Sequence, residues 1–208
     1  GVPRPTIRLI DHGQGIRVVG TENSTLDVTD ALNHYTANQA AGIAPLCGFI
    51  FKKGSPSCGM ERVKVYNSKG MPDTIGQGLF ARGVKERFPE LPTEEEGRLG
   101  DARLRENFLQ RVFIYHHWQH QVAPVLSVAK LTECHAKLKL TLMSHNQNQA
   151  RDLGRLAATA NADNLAEVAQ AYFSGLMKTL TIVATPKNHV NVLQHIQGYL
   201  KRELDGDD

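Results

Sequence analysis

Apolar and polar positions alternate along Thr6-Ile7-Arg8-Leu9-Ile10 and again along Ile16-Arg17-Val18-Val19-Gly20, on either side of Asp11-His12-Gly13-Gln14-Gly15. A period of two flanking a glycine-rich turn predicts a short hairpin. From Asp27 the period lengthens. Val28, Leu32, Tyr35 and Gln39 share one helical face, with Asp27 or Thr29 as N-cap, which predicts a helix to about Ala41. Leu46-Cys47-Gly48-Phe49-Ile50-Phe51 is a compact apolar run of the kind buried strands use, and it leads directly into Lys52-Lys53-Gly54-Ser55-Pro56-Ser57-Cys58-Gly59. Val63-Lys64-Val65-Tyr66 reads as a further strand, and Gly76-Gln77-Gly78 opens a helix from Leu79 to about Phe88, closed by Pro89. Alternating strands and helices predict an α/β layer.

Beyond Glu94-Glu95-Glu96-Gly97-Arg98-Leu99-Gly100, a charged junction, the pattern is helical throughout. Leu104, Phe108, Val112 and Tyr115 recur at helical spacing behind Asp101, a plausible cap. Leu131, His135, Leu138 and Leu142 follow; then Leu165, Val168, Tyr172, Leu176, Leu180 and Val183; then His189, Leu193, Ile196, Leu200 and Leu204. Thr185-Pro186 supplies an N-cap and N1 proline for the last helix. The expected fold class is therefore an α/β N-terminal domain, Rossmann-like and incomplete, followed by an all-α domain. Its expected boundaries are 1–100, a linking helix over 101–123, and 124–208.

Composition supports the division: of 208 residues, the first hundred hold 14 of the 18 Gly and 7 of the 9 Pro. Charge adds little. The formal net charge is +3, and Lys+Arg nearly balances Asp+Glu in each half. The longest basic runs are pairs such as Lys52-Lys53 and Lys201-Arg202, so duplex DNA is not an expected partner. No stretch is long and apolar enough for a membrane span, and no signal-peptide pattern opens the chain, so a cytoplasmic protein is the expectation. Gly1-Val2-Pro3-Arg4-Pro5 is turn-like and reads as the continuation of something upstream, while Asp205-Gly206-Asp207-Asp208 closes a helix that exposes several apolar residues.

Cys47, Cys58 and Cys134 form no disulfide framework and no Cys-x-x-Cys metal site. Cys58 is the strongest chemical candidate, since it follows a strand in a loop of small residues, where α/β folds place ligand sites. Gly54 and Gly59 allow close approach of backbone N–H groups, and Ser55 and Ser57 add hydroxyls. From these features Cys58 is either a functional thiolate or a structural cysteine in a tight turn. Cys47 is expected in the core and Cys134 in helix packing. His116, His117, His120, His135 and His145 invite a metal reading, but adjacent histidines on a helix diverge and no His-Glu-x-x-His pattern is present. Glu94-Glu95-Glu96 could act as acid or base, although charge runs are usually solvated. Gly76-x-Gly78 lacks the rest of a dinucleotide fingerprint.

Ser55-Pro56-Ser57-Cys58-Gly59, Val63-Lys64-Val65-Tyr66, Gly76-x-Gly78-Leu79-Phe80-Ala81 and Phe88-Pro89-x-Leu91-Pro92 together resemble the thiouracil desulfurase family. Gly1-Val2-Pro3-Arg4-Pro5-x-Ile7-Arg8-Leu9 looks like the segment after that family's Cys-Pro-Glu motif. Glu94-Glu95-Glu96-Gly97-Arg98-Leu99, Leu104-Arg105-Glu106-Asn107-Phe108 and Arg111-Val112-Phe113 look like the join to a YbgA-like helical domain. Cys134-His135-Ala136-Lys137, Leu142-Met143-Ser144-His145, Leu153-Gly154 and Asn191-Val192-Leu193-Gln194-His195 with Gly198-Tyr199 resemble that second family.

The resemblance implies a bacterial, cytoplasmic protein bearing a [4Fe-4S] cluster on three cysteines, whose open iron takes the sulfur of a thiolated pyrimidine. Loss of sulfur then gives the oxo base and sulfide. A soft iron site prefers thiocarbonyl sulfur to carbonyl oxygen. Cys58 matches the third ligand, with Gly59 beside it. Ser55 is the residue expected to bind substrate or assist proton transfer, and Ser57 is the second choice. The other two ligand cysteines and an acidic residue would precede Gly1, and the helical family continues past Asp208. This chain alone is thus expected to be inactive and to be truncated at both ends. The expected substrate is a small thiolated nucleobase, with thiolated RNA as a speculative extension. The alternative is a non-catalytic interaction or regulatory module acting through the helical domain. Oligomeric state is not legible.

Overall fold

The computed structural model describes residues 5–204, with side chains described to Lys201. The turn-like start at Gly1–Arg4 and the Asp205–Asp208 tail lie outside the described residues. The chain divides into two compact units, Gly1–Arg105 and Glu106–Asp208.

In the first unit β1 (Ile7–Asp11) and β2 (Ile16–Gly20) form the expected antiparallel hairpin, with Leu9 opposite Val18. Gly13 and Gly15 take positive φ in its turn. β4 (Val63–Tyr66) pairs parallel to β1, and β5 (Pro72–Gly76) pairs antiparallel to β4, giving the mixed sheet β2-β1-β4-β5. β5 is an edge strand with almost no buried position, so alternation could not reveal it. Leu9, Val18, Val63 and Val65 point from the sheet into a core closed by Leu79, with Ile7, Ile16, Val28 and Leu32 packed around it.

α1 (Thr29–Ile43) buries Thr29, Thr36, Ala40 and Ile43, so the face through Tyr35 and Gln39 is displaced. Close approach explains the shift. A Cβ on Gly83 of α2 (Leu79–Arg87) would sit 2.8 Å from Thr36 Cγ2, so α1 meets α2 through small side chains. Tyr35 is 54% exposed and its ring lies 5.9 Å from that of Phe80. The strand expected over Leu46–Phe51 is shorter: β3 (Phe49–Phe51) pairs parallel with β6 (Thr93–Glu95), and only Phe51 of β3 is buried. Cys47 is half-buried rather than core, because it precedes the strand.

The second unit is all helical. α3 (Ala102–His117) starts behind Asp101, whose Oδ1 accepts the N–H groups of Arg103 and Leu104 as a cap. It runs into a π-turn at Trp118–Val122, followed by α4 (Val128–His145), α5 (Gln147–Ala158), α6 (Leu165–Leu180) and α7 (Pro186–Leu204). Ser127 and Asn146 cap α4 and α5 through their side chains, as short polar residues do. Val168, Tyr172, Leu176 and Leu180 form the buried face of α6, as the periodicity predicts. Trp118 stacks on Phe173 at 4.8 Å. Cys134 is buried among them, and burial pushes its thiol up to about 11, so it is a packing residue. α7 exposes several apolar residues, as its sequence suggests. Val192 is its buried residue, while Leu193 and Leu200 are 63% and 53% exposed. No helix among the described residues is long and apolar enough to cross a membrane.

Candidate functional site

The loop joining β3 to β4 carries Ser55, Ser57, Cys58 and Gly59, and it is fastened on three sides. On the first side lies the start of α2. Gly78 N–H donates to Gly59 O at 2.8 Å, Leu79 N–H to Pro56 O at 3.2 Å, and Ala81 N–H to Ser57 O at 3.1 Å. The unsatisfied donors of a helix N-terminus are thus used to hold the loop backbone. The approach is close enough that a Cβ on Gly78 would lie 2.5 Å from the Ser57 carbonyl carbon and oxygen. Gly78 therefore serves contact between loop and helix, while Gly76, in β5, faces Val65 and Ile16 of the sheet.

Within the loop, Ser55 Oγ accepts the N–H of Ser57 at 3.3 Å and of Cys58 at 3.2 Å. Ser55 O accepts Gly59 N–H at 2.7 Å, and a Cβ on Gly59 would sit 2.8 Å from that same oxygen. With both lone pairs of Ser55 Oγ committed, its proton is the one that bridges to Ser57 Oγ at 3.0 Å. Ser57 Oγ in turn shares a hydrogen bond with Cys58 Sγ, 3.4 Å away. The order runs from backbone to Ser55, to Ser57, to sulfur. It connects the half-buried Cys58 thiol to a pair of hydroxyls.

The other two fastenings come from the glutamate run. As a charged junction Glu94-Glu95-Glu96 was expected in water, but Glu94 and Glu95 are 4% and 2% exposed, because β6 carries them into the sheet beside β3. Glu95 Oε1 accepts the N–H groups of Met60 at 2.8 Å and Glu61 at 3.3 Å, immediately after Cys58-Gly59. Glu94 accepts from Arg98 Nε at 2.8 Å, and Arg98 reaches Glu61 at 2.6 Å. Before the loop, Glu96 accepts Lys52 Nζ and Lys53 N–H, both at 2.7 Å, and these bonds hold its carboxyl below the usual carboxylate range. A three-residue strand of polar residues has no hydrophobic period to betray it. The available signal was that the run falls within a segment resembling the families' join.

On the flank of the loop opens a cavity of about 330 Å³ lined by Gly54, Pro56, Arg62, Lys64, Tyr66 and Arg8, among others. Among the described residues it is lined by three cations and no carboxylate. Arg8 lies over the Tyr66 ring, 5.4 Å from its centroid, and its Nε is buried without a hydrogen-bond partner. Arg62 has a φ of +55°, left-handed for a side chain-bearing residue. Cys58 is not among the residues lining this cavity.

The histidines do not converge. His116 and His120 are exposed, their rings tilted against each other with centroids 4.3 Å apart; His135 Nδ1 meets Tyr172 OH at 3.2 Å; and buried His145 lies between Ile182 O and the Gln110 side-chain amide. Among the described residues no group of three His, Cys, Asp or Glu could hold a metal ion. A four-iron cluster is held by three or four cysteine thiolates. Cys58 offers one, while Cys134 is buried in the helical unit with its thiol raised, so the residues present do not by themselves fit such a cluster.

An α/β unit with a fastened cysteine loop and a separate helical unit is the class that fold and loop define. The 2-thiouracil desulfurase family matches residues 1–96, and a family described as protein of unknown function (DUF1722) matches residues 139–208. The chain thus joins a thiouracil desulfurase-like region to a YbgA-like one. It is 30% identical over 104 residues to the uncharacterized protein YbgA of Escherichia coli (strain K12). That alignment covers 50% of this chain and 62% of the relative, so the chain spans less than two thirds of that relative's length. No solved structure matches the chain significantly.

Proposed function

We propose that the α/β unit supplies part of a desulfuration site for a thiolated pyrimidine, with Cys58 and Gly59 at the sulfur-binding centre and Ser55 and Ser57 as the proton-handling pair. The overall change replaces C=S by C=O, with water as the oxygen source and sulfide as the leaving group. The observation that carries this reading is the ordered chain from backbone N–H through Ser55 and Ser57 to Cys58 Sγ. It ties the sulfur to one hydroxyl and places a second within one further hydrogen bond, a path for a proton on substrate or water. The family match over residues 1–96 supports desulfuration as the reaction class. The cationic cavity at Arg8, Arg62 and Lys64 favours a substrate that carries negative charge, such as a thiolated nucleotide, over the free base. The helical unit, residues 124–208 with its linking helix over 101–123, is assigned an auxiliary role.

Iron and acid-labile sulfide after anaerobic reconstitution, on this chain and on a version extended upstream to further cysteines, test the cofactor implied by the family. Sulfide release from 2-thiouracil and from a thiouridine monophosphate tests the reaction. Activity in the extended form that is abolished by Cys58→Ser supports the reading. Equal sulfide release by parent and Cys58→Ser overturns it. Equal use of base and nucleotide removes the role given to the cationic cavity.

A further inference from the structure

Glu95 is 2% exposed, and no cation lies within ion-pair distance of it among the described residues. A carboxylate withdrawn from water is costly unless hydrogen bonds replace its hydration. Among the described residues its side chain accepts on one oxygen from two backbone groups, Met60 N–H at 2.8 Å and Glu61 N–H at 3.3 Å. These are the second and third amides after Cys58. The next residue, Arg62, has a φ of +55°, so the backbone turns sharply just beyond the bonded pair before entering β4. Neighbouring charges are occupied elsewhere. Arg98 bridges Glu94 and Glu61, and Lys52 pairs with Glu96. Glu95 is therefore committed to the Cys58 loop alone, from a strand whose register is fixed by the pairing of Phe51 with Glu95.

We propose that Glu95 is the positioning residue of the Cys58 loop: its buried carboxylate pins the backbone that follows the cysteine, and so sets the direction of the thiol and of the Ser55–Ser57 chain. α2 holds the loop by its carbonyls and Glu95 holds it by its amides, so neither fastening replaces the other. Carboxylate charge matters because a single oxygen serves two donors, and charge-assisted bonds are the stronger ones. The proposal rests on the reading of Cys58 as a functional sulfur, but its first test does not.

Amide hydrogen exchange of the intact chain reads the clasp directly. Glu95→Leu, which keeps comparable bulk and removes the acceptor, should speed exchange at Met60 and Glu61 by roughly tenfold or more. Amides of the β1–β2 hairpin should be unchanged. Glu95→Gln retains an oxygen acceptor without charge, so exchange at the same two amides should be intermediate. The rate of Cys58 alkylation, followed on its peptide by mass spectrometry, should change in the same order, and Glu86→Gln on the exposed side of α2 should match the parent. If Glu95→Leu fails to fold, Glu95→Gln decides. Unchanged exchange at Met60 and Glu61, or an increase spread evenly over the unit, overturns the proposal. If desulfuration is absent in the extended form as well while the ordered exchange response is present, the functional reading fails and the clasp stands. Where desulfuration is present, Glu95→Gln should lower kcat with KM little changed, whereas a residue that binds substrate would raise KM.

Discussion

The α/β unit and the helical unit handle buried polarity in opposite ways. In the helical unit, buried polar groups serve packing: Asn107 donates to Leu180 O at 2.9 Å, Thr179 to Gly175 O within its own helix, and His145 lies between a carbonyl and an amide. In the α/β unit, buried Glu94 and Glu95 reach out of a short strand to hold an irregular loop. Helices satisfy their own backbone and need little help from side chains. A loop cannot, so its shape has to be imposed by carboxylates, by a helix N-terminus and by glycines without room for a Cβ. The concentration of such devices around Cys58, and not around Cys134, separates a site from a core.

The largest effects should divide along that line. Leu176 is fully buried at the centre of α6, and Leu176→Ala should destabilise the helical unit by about 2–5 kcal/mol, seen as a lower Tm or denaturant midpoint. Ser55→Ala should do the reverse. It removes a half-buried hydroxyl that accepts two loop amides outside the core, lowering desulfuration by the extended form roughly 10²-fold while the melting transition moves less than in Leu176→Ala. Equal loss of stability and activity in both variants would erase the distinction between the units.

Gly78→Ala joins the two kinds of effect. Its new methyl would press on the Ser57 carbonyl from 2.5 Å, and backbone does not yield as a flexible side chain does. A cost of about 1–3 kcal/mol is expected, with faster exchange at Gly78, Leu79 and Ala81, whose N–H groups hold the loop. A neutral Gly78→Ala would show that the contact between loop and helix is slack.

How much of this was legible follows from where periodicity operates. The hairpin, α2, the Asp101 cap and the α6 face are set by local pattern, and they appear where the pattern places them. α1 keeps its bounds to within two residues but turns its buried face, because Thr36 against Gly83 is a tertiary contact that no period encodes. At the site, Ser55, Ser57, Cys58 and Gly59 could be singled out from composition of the loop, since small residues, a proline and a cysteine after a strand are a local signal. Glu95 could not be. Its role depends on β6 lying beside β3, a parallel pairing of residues more than forty positions apart. A charge run read in isolation is assigned to water.

The smallest expected effects are pH-dependent, and they also part the two units. Burial lowers the His135 pKa below its ordinary 6.5, where its ring meets the Tyr172 hydroxyl. A folded-state value below the unfolded one means that the unfolded chain takes up the proton first. The helical unit should therefore be fully stable above about pH 6.5 and lose stability as pH falls through that value, levelling off below the folded pKa. Asp27 behaves differently. Its hydrogen bond to Arg17, with those to Thr29, lowers its pKa to about 2 from 3.8. Its contribution is complete above pH 3.8 and is lost as pH falls toward 2. Because Asp27 and Arg17 are 30% and 52% exposed, the loss should stay below about 1 kcal/mol. Amide exchange resolved by unit, from pH 7 to 4, should show the helical amides loosening while the β1–β2 amides hold. His135→Gln should weaken the first response, the rest coming from His145, whose pKa burial also lowers, and should leave the second untouched. A β1–β2 hairpin that loosens with the helices between pH 7 and 5 would mean that this unit contains a titrating group other than Asp27.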